Sequence, residues 1–197
     1  MGKSEETRLL IIKKAASIFN QYGYKGTSMA QLTKAINMTK GAIYGNFNNK
    51  NEIALAAFEY NVAKISETVS EIVRPKKHAC DRIIAYANFY LDHFGEISKT
   101  GGCPVLNAAI DSDNVHQLLK NKVVEVIENW INSISQIIYN GIQRMQIHPH
   151  SKPEQFASVF VSLIEGGMML SNITSNTIYL ARNVDHIIYL VNTDLRL

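Results

Sequence analysis

The sequence predicts an all-α protein, with an N-terminal three-helix helix-turn-helix domain followed by a larger helical-bundle domain. Three observations carry this expectation. Apolar residues recur at three- and four-residue steps along nearly the whole chain, and no run alternates apolar and polar residues for the length of a useful strand. Gly-, Pro- and Asn-bearing segments break that pattern into helix-sized pieces. Near the N-terminus, two short helical stretches are separated by only Ile36-Asn37-Met38, a turn so tight that the helices must cross steeply. At 197 residues and 46% hydrophobic content, the chain can bury a substantial core.

The elements follow in order. Over residues 5–22, Ile11, Ala15, Ile18, Phe19 and Tyr22 form one apolar face, and Gly23 ends the helix. Ser28 is a capping residue for a helix over 29–35, and Thr39 for one over 40–47. Between them Asn37 is a residue type that tolerates left-handed backbone. Asn49 caps a long helix that runs to about residue 73, where Pro75 stops it, with Ile53, Ala57, Tyr60, Ala63, Ile65 and Val69 on its inner face. Further helices are expected over 80–94, 104–110, 115–145, 153–171 and 177–195, separated by 95–102, 147–152 and 172–176. The chain therefore divides into 1–48, the helix-turn-helix module, and 49–197, the larger helical body, with 49–73 as connector.

Charge is unevenly placed. Between Thr7 and Asn51 there is no Asp or Glu, yet the window holds Arg8, Lys13, Lys14, Lys25, Lys34, Lys40 and Lys50. The first 50 residues carry a net +6 and the remainder −3, so the whole-chain +3 conceals a basic end on a mildly acidic body. A chain that docks one end on phosphates has this distribution. Other classes are not supported. Cys80 and Cys103 are far apart and make no CxxC pair, and His148-Pro149-His150 has no carboxylate at metal-ligand spacing, so no metal and no cofactor is expected. No GxSxG, phosphate-cradling glycine loop or Cys-His-Asn arrangement points to an enzyme. The polar N-terminus and the lack of a long uninterrupted apolar run predict a cytoplasmic chain with no membrane partner.

The stretch from Thr39 to Lys50 has the composition of a DNA-reading helix. Lys40, Tyr44 and Asn46 supply donors, while Gly41, Ala42 and Gly45 let backbone approach DNA in a groove roughly 12 Å wide. Ile43 and Phe47, four apart, point back into the module's own core. Two glycines in a short helix each cost about 1 kcal/mol relative to Ala, a cost that makes sense where something must come close. With Thr27-Ser28-Met29-Ala30-Gln31-Leu32 before it and Asn49-Lys50-Asn51-Glu52-Ile53 after it, this segment resembles the N-terminal signature of the TetR/AcrR family of bacterial regulators over about residues 8–58. The resemblance implies a homodimer that binds a pseudo-palindromic double-stranded operator and an unidentified small-molecule effector. By position it also implies phosphate contacts from Thr27 or Ser28, Thr39 and Lys50, and groove contacts from Lys40, Gly41 and Tyr44. Asn37 stands where a turn glycine is usual, and Gly45-Asn46 where an aromatic followed by His is more common.

Beyond residue 60 the resemblance is one of length and helix order. Over 153–171, Phe156, Phe160, Leu163, Gly167 and Leu170 form a stripe while Val159, Val161, Ile164 and Met168 spread apolar surface elsewhere; 177–195 behaves similarly. These two helices are the expected dimer interface, through Phe156, Phe160, Leu163, Gly167, Ile187, Ile188 and Val191, with Gly166-Gly167 allowing close approach. Candidate effector contacts are Tyr86, Phe89, Tyr90, Phe94, Trp130, Met168 and Met169, aromatic and sulfur side chains suited to a largely apolar molecule with one or two polar handles. Cys103, delivered by Gly101-Gly102 and followed by Pro104, is expected at a helix N-terminus, where the dipole favours thiolate. It adds a second input, an electrophile or oxidant sensed through Cys103.

Overall fold

The computed structural model describes residues 2–112 and 116–197. The chain is about 79% helical, and no strand occurs among the described residues. The chain packs as two compact units, one containing the residues up to Ile65 together with Lys99–Glu125, the other Ser66–Ser98 with Val126–Leu197.

The first unit holds α1 (Lys3–Tyr22), α2 (Met29–Ile36), α3 (Lys40–Tyr44), the leading part of α4 (Lys50–Val73), α7 (Pro104–Asp111) and the start of α8 (Gln117–Gln143). The three-residue turn is present, with Asn37 in left-handed backbone at φ 59°, ψ 48°. Ser28 and Gln31 close a reciprocal cap on α2, and the Asn49 side chain caps α4 by accepting from the Glu52 N–H at 2.9 Å. Ile11, Ala15, Leu32, Ile36, Ile43, Phe47, Ile53 and Ala57 form the core of this unit, which takes in much of the apolar face read from spacing; Tyr22, read on that face, is exposed. α3 is shorter than expected. Asn46 donates through its side chain to the Ala42 carbonyl at 2.9 Å and through its backbone to the Ile43 carbonyl at 3.0 Å, which also accepts from the Phe47 N–H at 3.1 Å, so the last turn tightens. On α4, Tyr60 is half-buried and Ala63 is exposed, so the expected inner face does not extend to Ala63.

The second unit contains α5 (Ala79–Asp92), α6 (Phe94–Lys99, all but its last residue), the remainder of α8, α9 (Pro153–Thr174) and α10 (Ile178–Leu190). α6 replaces the front of the expected 95–102 loop. Continuing a helix through Gly95 costs about 1 kcal/mol, but Phe94 and Ile97 are both buried by doing so, each contributing roughly 1.5–3 kcal/mol. α8 presents Trp130, Ile134, Ile138 and Gly141 on one buried stripe; a Cβ at Gly141 would stand 2.7 Å from the Ala79 side chain. The expected start of α8 at 115 lies outside the described residues.

α9 packs along α10. Asn183 donates to the Leu163 carbonyl at 2.7 Å, and the Leu180 N–H donates to the Ser171 hydroxyl at 3.0 Å. By length and mean hydropathy (1.4), α9 alone among the described residues matches a membrane-crossing helix; its buried side, including Ala157, Phe160, Ile164 and Met168, belongs to this packed interior. The final expected helix ends at Leu190 and widens into a π turn, Val191–Leu195, with the Arg196 N–H donating to the Val191 carbonyl at 2.9 Å. This widening buries Leu195 and frees its carbonyl to accept from the His148 N–H at 2.9 Å, beside a bridge between Ile147 and Arg196.

Candidate nucleic-acid interface

The turn between α2 and α3 presents the reading helix outward. Thr39 caps α3, its hydroxyl accepting from the Ala42 N–H at 3.2 Å. Thr39, Lys40, Gly41, Ala42, Tyr44 and Gly45 are exposed, while Ile43 and Phe47 are buried beneath them. A Cβ on Gly41 would meet nothing within 4 Å. No packing within the chain requires glycine there; what the missing side chain leaves open is the outer face. Lys40 Nζ lies 5.7 Å from the Tyr44 ring centroid, so cation and phenol share one patch. Asn46 is half-buried with its amide turned to the Ala42 carbonyl. Of the two residues at the start of α2, Ser28 is exposed, whereas Thr27 is buried and donates its hydroxyl to the Gly23 carbonyl at 2.7 Å.

The cations of the acid-free window divide into two sets. Lys13, Lys25, Lys34 and Lys40 are exposed. Arg8, Lys50 and the likewise exposed Lys14 bind backbone carbonyls of the module. Arg8 donates to the Asn46 carbonyl at 2.6 Å and to Glu52 at 3.1 Å, with its guanidinium carbon 4.0 Å from the Phe47 ring centroid. Lys14 donates to the Ile36 carbonyl at 2.8 Å, at the end of α2, where the helix dipole favours a cation. Lys50 donates to the Tyr24 and Thr27 carbonyls, both at 2.8 Å, and stands 4.2 Å from the Tyr24 ring centroid. Burial lowers the Lys50 pKa, and the negative charge of Asp111 opposes that shift. Two of its three N–H donors are thus engaged.

Sequence reasoning missed the groups that complete this arrangement. The Asp111 carboxylate accepts from the backbone N–H groups of Tyr24 and of Lys25, the latter at 3.0 Å. The buried His116 ring meets the Tyr24 ring edge-on at 5.0 Å between centroids. Glu52 accepts from the Asn48 N–H and from Arg8, which hold its carboxyl below the usual range. Spacing along one helix cannot reveal these partners, because Asp111 lies 87 residues from Tyr24. The signal available was indirect: an acid-free stretch whose loop N–H groups need acceptors from elsewhere.

In the second unit, Tyr86, Tyr90, Trp130 and Phe160 come together. Ring centroids are 6.3 Å apart for Tyr86–Tyr90, 5.6 Å for Tyr86–Phe160 and 5.4 Å for Tyr90–Trp130. Burial pushes the Tyr86 hydroxyl far above its usual pKa, and the buried Trp130 Nε1 has no hydrogen-bond partner among the described residues. Phe89, Phe94 and Met168 are buried, but Met169 is exposed and does not join them. Cys103 belongs to the first unit, buried at the N-cap of α7 with Pro104 at the first helical position, as its neighbours predicted. Cys80 is also buried, and burial pushes its thiol pKa up.

Of the expected dimer contacts, Phe160, Gly167, Ile187 and Val191 are buried within the chain, and Phe156, Leu163 and Ile188 are half-buried. The close approach expected of Gly167 is made to α10, since a Cβ there would sit 3.0 Å from Leu180 Cα. The exposed apolar residues of these two helices are Val159, Met169, Leu170, Ile173, Ile178 and Tyr189.

A helix-turn-helix whose outer face is small and basic, joined to an otherwise helical body, defines a DNA-binding transcriptional regulator. Residues 11–57 match the family model "Bacterial regulatory proteins, tetR family", and residues 79–187 match "Tetracyclin repressor-like, C-terminal domain". The chain belongs to the TetR family, whose members regulate transcription rather than catalyse reactions. It is similar to the crystal structure of a TetR transcriptional regulator from Chloroflexus aurantiacus (TM-score 0.95, 33% identity, 100% of both chains). A TetR-family regulator from Cytophaga hutchinsonii is comparably similar (TM-score 0.94, 34% identity, 99% of this chain and 98% of that one). The HTH-type transcriptional repressor NemR of Escherichia coli is 21% identical over 95% of each chain.

Proposed function

We propose that the protein is a homodimeric, cytoplasmic repressor that leaves a pseudo-palindromic operator when a small molecule enters its helical body. The observation that carries the DNA half is the exposed Thr39-Lys40-Gly41-Ala42 edge, with Gly41 open to the outside. Thr39, Ser28 and the remaining donor of Lys50 serve phosphates, while Lys40, Gly41, Tyr44 and Asn46 face the groove. One short recognition helix spans few base pairs, so a dimer reading two half-sites about 34–36 Å apart, or a multiple of that, doubles the readout. The effector half rests on Tyr86, Tyr90 and Trp130, an aromatic set with an unpartnered indole N–H, which suits a largely apolar molecule carrying a hydrogen-bond acceptor.

A gel shift on the DNA flanking the protein's own coding region tests the reading. Retarded duplex with a symmetric footprint, released by small-molecule fractions of the host cell, is the expected result; failure to shift any flanking duplex at micromolar protein would overturn it. Cys103 supports a second input, because it caps α7 where the helix dipole stabilises thiolate. Under that reading, iodoacetamide releases wild-type protein from DNA and leaves Cys103→Ser bound.

A further inference from the structure

We propose that Asp111 is a positioning residue for DNA binding, holding the loop between α1 and α2, and with it the reading helices, at the angle at which α3 meets DNA. The loop runs from Gly23 to Ser28, the cap of α2. Its N–H side is held by Asp111, which accepts from Tyr24 and Lys25. Its carbonyl side is held by Lys50, which donates to Tyr24 and Thr27 at 2.8 Å. The Tyr24 ring between them is packed by Lys50 on one contact, by His116 on another and by Phe19 at 6.1 Å on a third.

His116 is itself fixed. Its Nδ1 accepts from the Leu119 N–H at 3.1 Å, so the proton sits on Nε2, which faces the Asn51 carbonyl at 3.4 Å. The end of α7 and the start of α8 therefore grip one loop. Gly23 makes the grip sterically feasible twice over: its φ is +73°, and a Cβ there would lie 2.9 Å from Asp111 Oδ2. The loop passes its orientation directly to α2, because Thr27, the residue before the cap, is buried and bonded to Gly23.

A carboxylate is an unexpected choice in the unit that must approach phosphates. The window from Thr7 to Asn51 excludes acids entirely, yet these loop N–H groups take an acid from α7 rather than a neutral acceptor nearby. An ionised acceptor gives shorter and stronger bonds to two N–H groups at once, which suits holding an angle.

The test uses the full chain and a duplex selected by the wild-type protein from a random library, with poly(dI-dC) as non-specific DNA. Asp111→Ala is expected to weaken binding to the selected duplex about tenfold or more. Binding to poly(dI-dC) should stay within about twofold, and the slope of log affinity against log salt should not change, because Asp111 touches no phosphate. Asp111→Asn, which still accepts from both N–H groups, should recover most of the loss. Gly23→Ala should reproduce the loss from the other side of the grip, and the double variant should be no worse than the weaker single one. Asp111→Ala binding the selected duplex as wild type does would overturn the proposal. So would a parallel loss of poly(dI-dC) binding and helical content, or additive losses in the double variant, since each makes Asp111 a general stabiliser of the fold.

Discussion

Lys50 illustrates how a cation in a basic window can serve the fold before it serves a ligand. Its ammonium takes two loop carbonyls. Lys50→Met strands both carbonyls, and urea denaturation should show a loss of roughly 1.5–3 kcal/mol, the range for bonds to a charged donor. Lys40→Ala should leave stability within about 0.5 kcal/mol and, as a groove contact under the proposed function, weaken binding to the selected duplex more than to poly(dI-dC). Glu52 gives a pH signature. Its folded pKa lies below the ordinary value, so its contribution is complete above that value and is lost as pH falls through the folded one. Unfolding measured across pH should therefore show wild type more stable than Glu52→Gln at neutral pH, with the gap closing below about pH 4.3. The basic window was legible as a sequence feature; the division between Lys40 and Lys50 was not, because it depends on which carbonyls the loop leaves within reach.

Recognition-helix glycines set stability against function within one element. Gly41→Ala meets no neighbour, so it should stabilise the folded chain by up to about 1 kcal/mol. Under the proposed function the same methyl lies on the face that meets DNA, and affinity for the selected duplex should fall; higher affinity together with higher melting temperature would show that α3 approaches DNA by another edge. Elements with strong punctuation were readable in advance, notably α2 with Ser28 and Asn37 and α7 with Pro104. Where punctuation misled, burial decided: Gly95 read as loop but sits inside α6 between buried Phe94 and Ile97. The π turn after Leu190 had no local signal, since its cause is the pairing of Leu195 and Arg196 with residues near 147.

For the whole molecule, the open question in the sequence was which apolar side of α9 and α10 faces the chain's own interior. Both helices are apolar on several sides, so periodicity alone placed Phe160, Gly167, Ile187 and Val191 on the outer face, whereas they pack inside. Under the proposed homodimer, the exposed set, Val159, Met169, Leu170, Ile173, Ile178 and Tyr189, is what remains for a second copy. Leu170→Glu is expected to shift light-scattering mass from dimer to monomer with helical content intact, and to weaken operator binding far more than poly(dI-dC) binding. Leu163→Glu, at a half-buried position beside the Asn183 contact, should instead lower the melting temperature.

Trp130 is the chain's single tryptophan, and it lies buried against Tyr90 with its Nε1 unbonded. Excitation at the red edge of protein absorbance therefore reports from one point inside the second unit. A buried indole emits towards the blue, and a hydrogen-bond acceptor arriving at Nε1 would shift that emission. The colour of the protein's own light can thus be followed during compound screening without dyes or labelled DNA, and a compound that changes it while the operator stays bound would separate occupancy from release in a single cuvette.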